Sequence, residues 1–256
     1  MTTFEKRPYA PRVRNIYDPA STAPFKLSRS KIDLFINCPR CFYLDRRLGI
    51  GQPQGPAFTL NVAVDALLKK EFDIHRAAVT SHPLMKAYGI DAVPFQHPNL
   101  SVWRENFVGI QHLHAPTNLL IFGAVDDIWK TPDGTLHVVD YKATSKEGEV
   151  ELGDTKWHNQ YRRQLEVYQW LLRRNGFSVS DTGYFVYVNG KKDRAAFDGK
   201  LEFDVKVIPH VGSDAWIEAT LKNIHACLQG NEMPAPAPDC EFCAYRAAAS
   251  EKEHGR

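Results

Sequence analysis

Residues 119–142 read LLIFGAVDDIWKTPDGTLHVVDYK, two apolar runs on either side of a turn. Thr131-Pro132-Asp133-Gly134-Thr135 has the chemistry of a three-residue loop. Pro takes the first turn position, Asp the next, and Gly can enter the left-handed region. Such a turn pairs Thr131 with Thr135. Carried outward, that register sets Asp126 opposite Asp140, with Lys142 two residues further along the same face. A two-residue turn would set Asp127 there instead, and the Pro-Asp-Gly turn favours Asp126. Phe122, Ala124, Ile128, Leu136 and Val138 share that face, while Ile121, Val125, Trp129, Val139 and Tyr141 take the other. Both faces are apolar, so both need cover, and the strands belong in the middle of a sheet flanked by helices.

The flanking segments supply that cover. Ser28 or Ser30 can cap a helix presenting Ile32, Phe35 and Ile36, which ends near Cys38 because Pro39 follows. Pro39 suits the first turn of a second helix over 40–48, closed by Gly49. Residues 60–78 carry a helical stripe of Leu60, Val64, Leu67, Leu68 and Phe72, with Asp65 at its border, either beside the buried face or turned to water. Residues 80–99 are Pro-rich and read as a loop or lid. His82, His97 and His112 match no metal spacing and read as surface or core histidines. Residues 102–113 read as a strand. A polar loop over 143–156 leads to a helix over 157–175, with Tyr161, Leu165, Tyr168 and Leu172 on one stripe and Gln164 between the tyrosines. Strands follow at 182–189 and around Leu201, Phe203, Val205 and Val207, with Asn189-Gly190 as the turn signal. Ser213 can cap a helix carrying Ile217, Leu221, Ile224 and Leu228. The Pro-rich stretch MPAPAPDCEFCAYR then leads to Cys240 and Cys243.

Composition narrows the class of function. With 256 residues, 43% hydrophobic and 24% charged, the chain can bury a sizeable core. The formal charge of +2 restricts any polyanion site to a local patch. No apolar run reaches the roughly 18 residues of a membrane span, and no apolar signal segment opens the chain, which points to the cytoplasm. Residues 1–26 mix prolines and basic residues without periodicity and read as a flexible arm, leaving 27–256 as one domain. Four of the five cysteines form two CxxC pairs, Cys38/Cys41 and Cys240/Cys243. In a reducing compartment such pairs suit a metal better than a disulfide. Four thiolates suit tetrahedral zinc or a [4Fe–4S] cluster, and either would pack the ends at 27–50 and 231–246 together.

Opposed carboxylates on a ladder repel, and either a shared proton or a bound cation relieves them. An all-oxygen pair on rigid strands suits Mg²⁺ or Mn²⁺, with Lys142 placed to stabilise charge on a scissile phosphate. The plainer alternative is a solvated hairpin edge on which Lys142 pairs with Asp140. Lys146, Lys156, Trp157, Arg162 and Arg163 gather basic and aromatic groups near the helix start, suited to a nucleic-acid strand or to a solvated surface.

The order of these motifs resembles the PD-(D/E)XK nuclease superfamily. It runs G-x-V-D at 123–126, V-D-Y-K at 139–142, then Gln164-x-x-x-Tyr168. The opening LSRSKIDLFINCPRCFYL and the closing PDCEFCAYR are similar to the RecB-like branch. The resemblance implies a restriction-endonuclease-like αβββαβ core with a central mixed sheet, and metal on Asp126, Asp140 and the carbonyl of Tyr141. It implies Lys142 as the catalytic lysine, with Gln164 and Tyr168 lining the cleft. Asp65 stands where that branch has a helix histidine, and the cysteines divide two and two where the branch has one and three. The implied function is hydrolysis of DNA phosphodiester bonds, exonuclease-like on single-stranded or end-containing DNA, in repair, recombination or defence. A helicase or other subunit would be the partner. The alternative is a DNA-binding or assembly subunit that keeps the fold with weak or no cleavage. Iron–sulfur is preferred to zinc on the resemblance.

Overall fold

The computed structural model describes residues 10–255 other than Gln54, Pro56 and Ala57. Of the expected arm, residues 1–9 lie outside that set. Residues 10–26 are part of the fold: the Arg12 amide donates to Gly49 O at 2.8 Å, and the Tyr17 amide donates to Arg46 O at 2.7 Å. The Tyr17 ring is buried, and its hydroxyl accepts from Gln229 at 2.7 Å. The aromatic ring, unweighted in a Pro-rich sequence, anchors the segment.

The first elements are β1 (Phe25–Ser28), α1 (Arg29–Asn37) and α2 (Pro39–Arg47). The break between the helices falls at Cys38, and Pro39 occupies the first turn of α2. Next comes α3 (Thr59–Ala78), which buries Phe72 and Arg76 while Leu60 and Leu67 stay exposed. The expected stripe is buried only along its second half. The Pro-rich stretch is more ordered than its composition suggests. It holds α4 (Pro83–Ala87), whose proline sits in the first turn with His82 as cap, and the two-residue strand β2 (Val93–Pro94). The strand expected at 102–113 divides into α5 (Leu100–Trp103) and β3 (Ile110–His114). Gly109 intervenes at φ +61, with the Gly123 carbonyl where a Cβ would stand.

The expected hairpin contains a break. Its first run becomes β4 (Leu119–Gly123) and β5 (Asp127–Lys130), which enter different sheets, and its second run is β6 (Leu136–Thr144). The register is the expected one: Asp127 pairs with Val139, Ile128 with Val138 and Lys130 with Leu136. Thr131 donates to Thr135 O at 3.0 Å, and Gly134 has φ +92. Helix α6 (Lys156–Arg174), β7 (Thr182–Gly190), β8 (Phe203–Val211), α7 (Ile217–Gln229) and α8 (Glu241–His254) complete the order. Asn189-Gly190 is not a tight turn, because β7 runs through Gly190, which pairs with Phe203 after an intervening loop.

One sheet has the order β1-β4-β3, and the other β2-β5-β6-β7-β8. In the larger sheet β6 and β7 are parallel while β5–β6 and β7–β8 are antiparallel, giving a mixed sheet. Helices α3 and α6 both contact β6. Phe72 of α3 stacks on Trp129 and packs with Val139 and Tyr141, whereas Leu165 of α6 lies against Gly183 beside Val138. This helix–sheet–helix arrangement with α3, β5, β6, α6 and β7 in sequence is the expected α/β architecture.

The chain divides into two compact units where the sequence suggested one domain. The first comprises Met1–Gly55, Leu113–Leu120 and Glu218–Arg256, and the second Pro56–His112 and Ile121–Ile217. Among the described residues no helix is long and apolar enough to cross a membrane.

Candidate active site and thiolate cluster

In the second unit β5 begins beside an open cleft of about 630 Å³, lined by Asp65, Lys69, Arg104, Asp126, Tyr141 and Lys142. Asp126 lies on a bend one residue before the ladder begins, so its carboxylate is free of the strand pairing. Its Oδ2 accepts the Tyr141 amide at 3.0 Å, and its Oδ1 lies 3.1 Å from Lys69 Nζ. Arg104 Nε donates to the Asp126 carbonyl at 3.0 Å. Asp65 and Lys69 are four residues apart on α3 and pair at 2.8 Å. Burial and the charge of Asp126 raise the Asp65 carboxyl above its usual range, against the pull of Lys69.

Asp140 is fully buried on β6, and its Oδ2 is ion-paired with Lys142. Lys142 Nζ also donates to Gln164 Oε1 at 3.1 Å and stands 4.4 Å over the Tyr161 ring. Gln164 passes the connection on to the Tyr168 hydroxyl at 3.1 Å. The Gln-x-x-x-Tyr spacing works because residues four apart share a helix face. The structure therefore brings Asp140, Lys142, Gln164 and Tyr168 into one chain of polar contacts, and Asp65 and Asp126 into another through Lys69.

Asp127 has a different place. It is fully buried, accepts from Arg76, from the Tyr141 hydroxyl at 2.7 Å and from the Ile128 amide at 2.8 Å, and faces Arg104 at 3.4 Å. Asp73 bridges Arg76 and Arg104 at 2.9 Å. Burial opposes ionisation of Asp73, but the two guanidiniums outweigh it and hold its carboxyl below the usual range. This network props Arg104 against the Asp126 backbone. Lys69 was detectable in the sequence as the base four residues after Asp65. Arg104 carried no signal, because it comes from a different part of the chain.

The basic and aromatic group divides as well. Trp157 is 67% exposed and lines a cup of about 430 Å³ with Phe58, Tyr161 and Phe203, sharing Phe58 and Tyr161 with the acidic cleft. Lys146 and Lys156 are exposed, and Arg163 is half-buried. Arg162 is spent locally: it donates to Leu152 O, Gly153 O and Asn159 at 2.7–3.0 Å, fastening the loop before α6.

In the first unit Cys38, Cys41, Cys240 and Cys243 are buried together, with their sulfurs all within 4.8 Å of one another. Cys38 Sγ lies 3.8 Å from Cys243, and Cys41 lies 3.5 Å from Cys240 and 3.6 Å from Cys243. Burial opposes ionisation of Cys38, yet amide donation from Ala237 and Cys41 holds its thiol down to about 7. Burial drives the Cys41 and Cys243 thiols up. A bound cation reverses that penalty by deprotonating the thiols. The donor set fits a thiophilic metal, and the oxygen set of the cleft fits a hard one.

A family model for the PD-(D/E)XK nuclease superfamily matches residues 67–248, and the chain belongs to that superfamily. The matched residues include Asp126, Asp140, Lys142, Gln164, Tyr168 and the second cysteine pair, and begin after Asp65 and the first pair. The superfamily's activity is metal-dependent nuclease chemistry. Eleven chains of solved structures are similar to this one. Among them is the crystal structure of SSO0001, at 16% identity over 87% of this chain and 84% of that chain, with a TM-score of 0.41. No curated protein matches.

Proposed function

We propose that the chain is a RecB-like, metal-dependent deoxyribonuclease acting on single-stranded or end-containing DNA. The observation that carries this reading is a cleft lined by Asp65, Asp126 and Lys142, with Asp140 buried beside it and ion-paired to Lys142. Asp126, Asp140 and the Tyr141 carbonyl would hold Mg²⁺ or Mn²⁺, with Asp65 as a further oxygen donor. Such an ion acidifies water and offsets phosphate charge. Lys142, ion-paired with Asp140, would direct its ammonium at the phosphate as negative charge develops. Gln164 holds the ammonium in place, and Tyr168 holds Gln164. The cup of Trp157, Phe58, Tyr161 and Phe203 offers flat faces to unpaired bases, with Lys146, Lys156 and Arg163 for the backbone. Stacking there requires bases already out of a duplex, so a strand-separating helicase or other repair or defence subunit belongs to this reading.

The test is cleavage of single- and double-stranded oligonucleotides with Mg²⁺ or Mn²⁺. Wild type should cut, and Lys142→Ala should fall by about a hundredfold or more. Equal background from both removes the assignment. A second reading, a DNA-binding subunit with weak cleavage, is favoured by the Lys69 ammonium between Asp65 and Asp126. It expects salt-sensitive DNA binding without products.

For the thiolates we infer one tetrahedral ion, zinc, in place of the expected four-iron cluster. Bonds of about 2.3 Å to a single tetrahedral ion set sulfurs roughly 3.8 Å apart, against 3.5–3.8 Å for three of the sulfur pairs and no more than 4.8 Å for any pair in this chain. A cubane holds each thiolate on a separate iron, which spreads the sulfurs further. Metal analysis and a visible spectrum of anaerobically purified protein decide it: one zinc and no colour supports the reading, and brown protein with iron and sulfide overturns it. Four adjacent thiols without disulfides also fit the cytoplasm.

A further inference from the structure

Lys69 Nζ stands 2.8 Å from Asp65 Oδ2 and 3.1 Å from Asp126 Oδ1, so an ammonium occupies the space between the two carboxylates. The arrangement is held from several sides. Lys69 follows Asp65 by one helical turn, with the acid nearer the helix N-terminus, the favourable order for such a pair. The Lys69 side chain is only 22% exposed, which limits its alternatives. Asp126 is fixed through the Tyr141 amide on Oδ2 and Arg104 on its carbonyl, leaving Oδ1 turned to Lys69.

Charge explains what this does. Asp65, Asp126 and Asp140 set three carboxylates against the ammoniums of Lys69 and Lys142, leaving one negative charge among these groups. The adjoining Arg76 and Arg104 are matched by Asp73 and Asp127. One net negative charge attracts a divalent ion weakly. Once the ion is bound the balance becomes one positive charge, which a single phosphodiester neutralises.

We propose that Lys69 is the resident counter-cation of the carboxylate cluster, displaced by the divalent ion from between Asp65 and Asp126, and that this competition sets the site's metal affinity. The proposal rests on the reading of Asp126 as a metal ligand. Lys69 is a positioning residue: it keeps the acids together without metal. Its tether to α3 keeps the displaced charge at the cleft, where the phosphate arrives.

Calorimetric titration of Mn²⁺ into full-length protein carrying its thiolate-bound metal tests it, with circular dichroism to verify folding. Lys69→Met should bind Mn²⁺ about tenfold more tightly than wild type or better, since removing a like charge at contact distance shifts a charged site by that order. Lys69→Arg keeps the charge and should bind as wild type does. Asp126→Asn should abolish binding with or without Lys69→Met. If Lys69→Met misfolds, Lys69→Gln serves in its place. Binding by Lys69→Met where wild type shows none supports the proposal in its strongest form. Unchanged or weaker affinity in Lys69→Met, with Asp126→Asn still abolishing binding, overturns the competition and leaves the metal site standing. Binding that survives Asp126→Asn, or is absent from every variant, overturns both.

Discussion

Asp127 buries its carboxylate among Arg76, the Tyr141 hydroxyl and the Ile128 amide. Neutralising it leaves the Arg76 and Arg104 guanidiniums to share Asp73 alone, at a cost approaching the roughly 3–5 kcal/mol of a broken buried pair. Asp127→Asn should therefore lower stability by that order in urea unfolding. Asp126→Asn, in the cleft, should unfold nearly as wild type does. Asp73 gives a pH signature. Its folded pKa lies below the unfolded value, so its contribution is present above roughly pH 4 and lost as pH falls through the folded pKa. Because its side chain is 45% exposed, solvent screening limits the loss in Asp73→Asn to no more than about 1 kcal/mol. Thermal melts should show the variant's deficit at pH 7 and its disappearance under acid. Turn chemistry distinguished the two neighbouring aspartates in advance, because Pro132-Asp133-Gly134 sets the register. Arg76 and Arg104 were invisible to that logic, since nothing local records a partner far away in the chain.

Strand β6 is the element on which the site depends. It pairs with β5 and β7 and is contacted by α3 and α6, so its residues alternate between the two helices. Gly183 on β7 lies against α6: a Cβ there would stand 2.4 Å from Leu165 Cδ2 and 2.9 Å from Val138 O. Gly183→Ala should cost about 1–3 kcal/mol by overpacking. It should also disturb Lys142 through α6, which carries Gln164. Urea unfolding together with cleavage rate checks both. Strong periodicity made α6 and α7 readable, and turn chemistry the β5–β6 register. The break at Ala124–Asp126 was not readable, because an apolar run does not record a change of sheet. Nor did composition reveal α4, α8 or the loop between β7 and β8: prolines and polar residues mark punctuation without excluding a short helix or a long excursion.

At the scale of the molecule, the thiolate cluster ties the segment before Gly55 to the segment after Glu218 within one unit. A bound ion replaces the mutual repulsion of gathered thiolates with bonds, and its loss is felt as folding energy. Stripping it with a strong chelator, or replacing Cys240 by Ser, should lower the calorimetric melting temperature and broaden the transition. Zinc should restore the first case and not the second. The paired CxxC spacing made this closure legible, whereas the division into two units was not, because apolar patterning does not say which buried faces share a core.

The separation of the cysteines also has a temporal meaning. Cys41 and its neighbour Cys240 are 199 residues apart. At about 5–20 residues per second of synthesis, the first pair emerges on the order of ten to forty seconds before the second. During that interval Cys38 and Cys41 are exposed on a nascent chain with half a ligand set. The later unit can meanwhile build its sheet, since it ends at Ile217, before the second pair exists. On the proposed reading of the thiolates, metal capture would close biogenesis, and a chain released early would carry the acids of the cleft without the clasp.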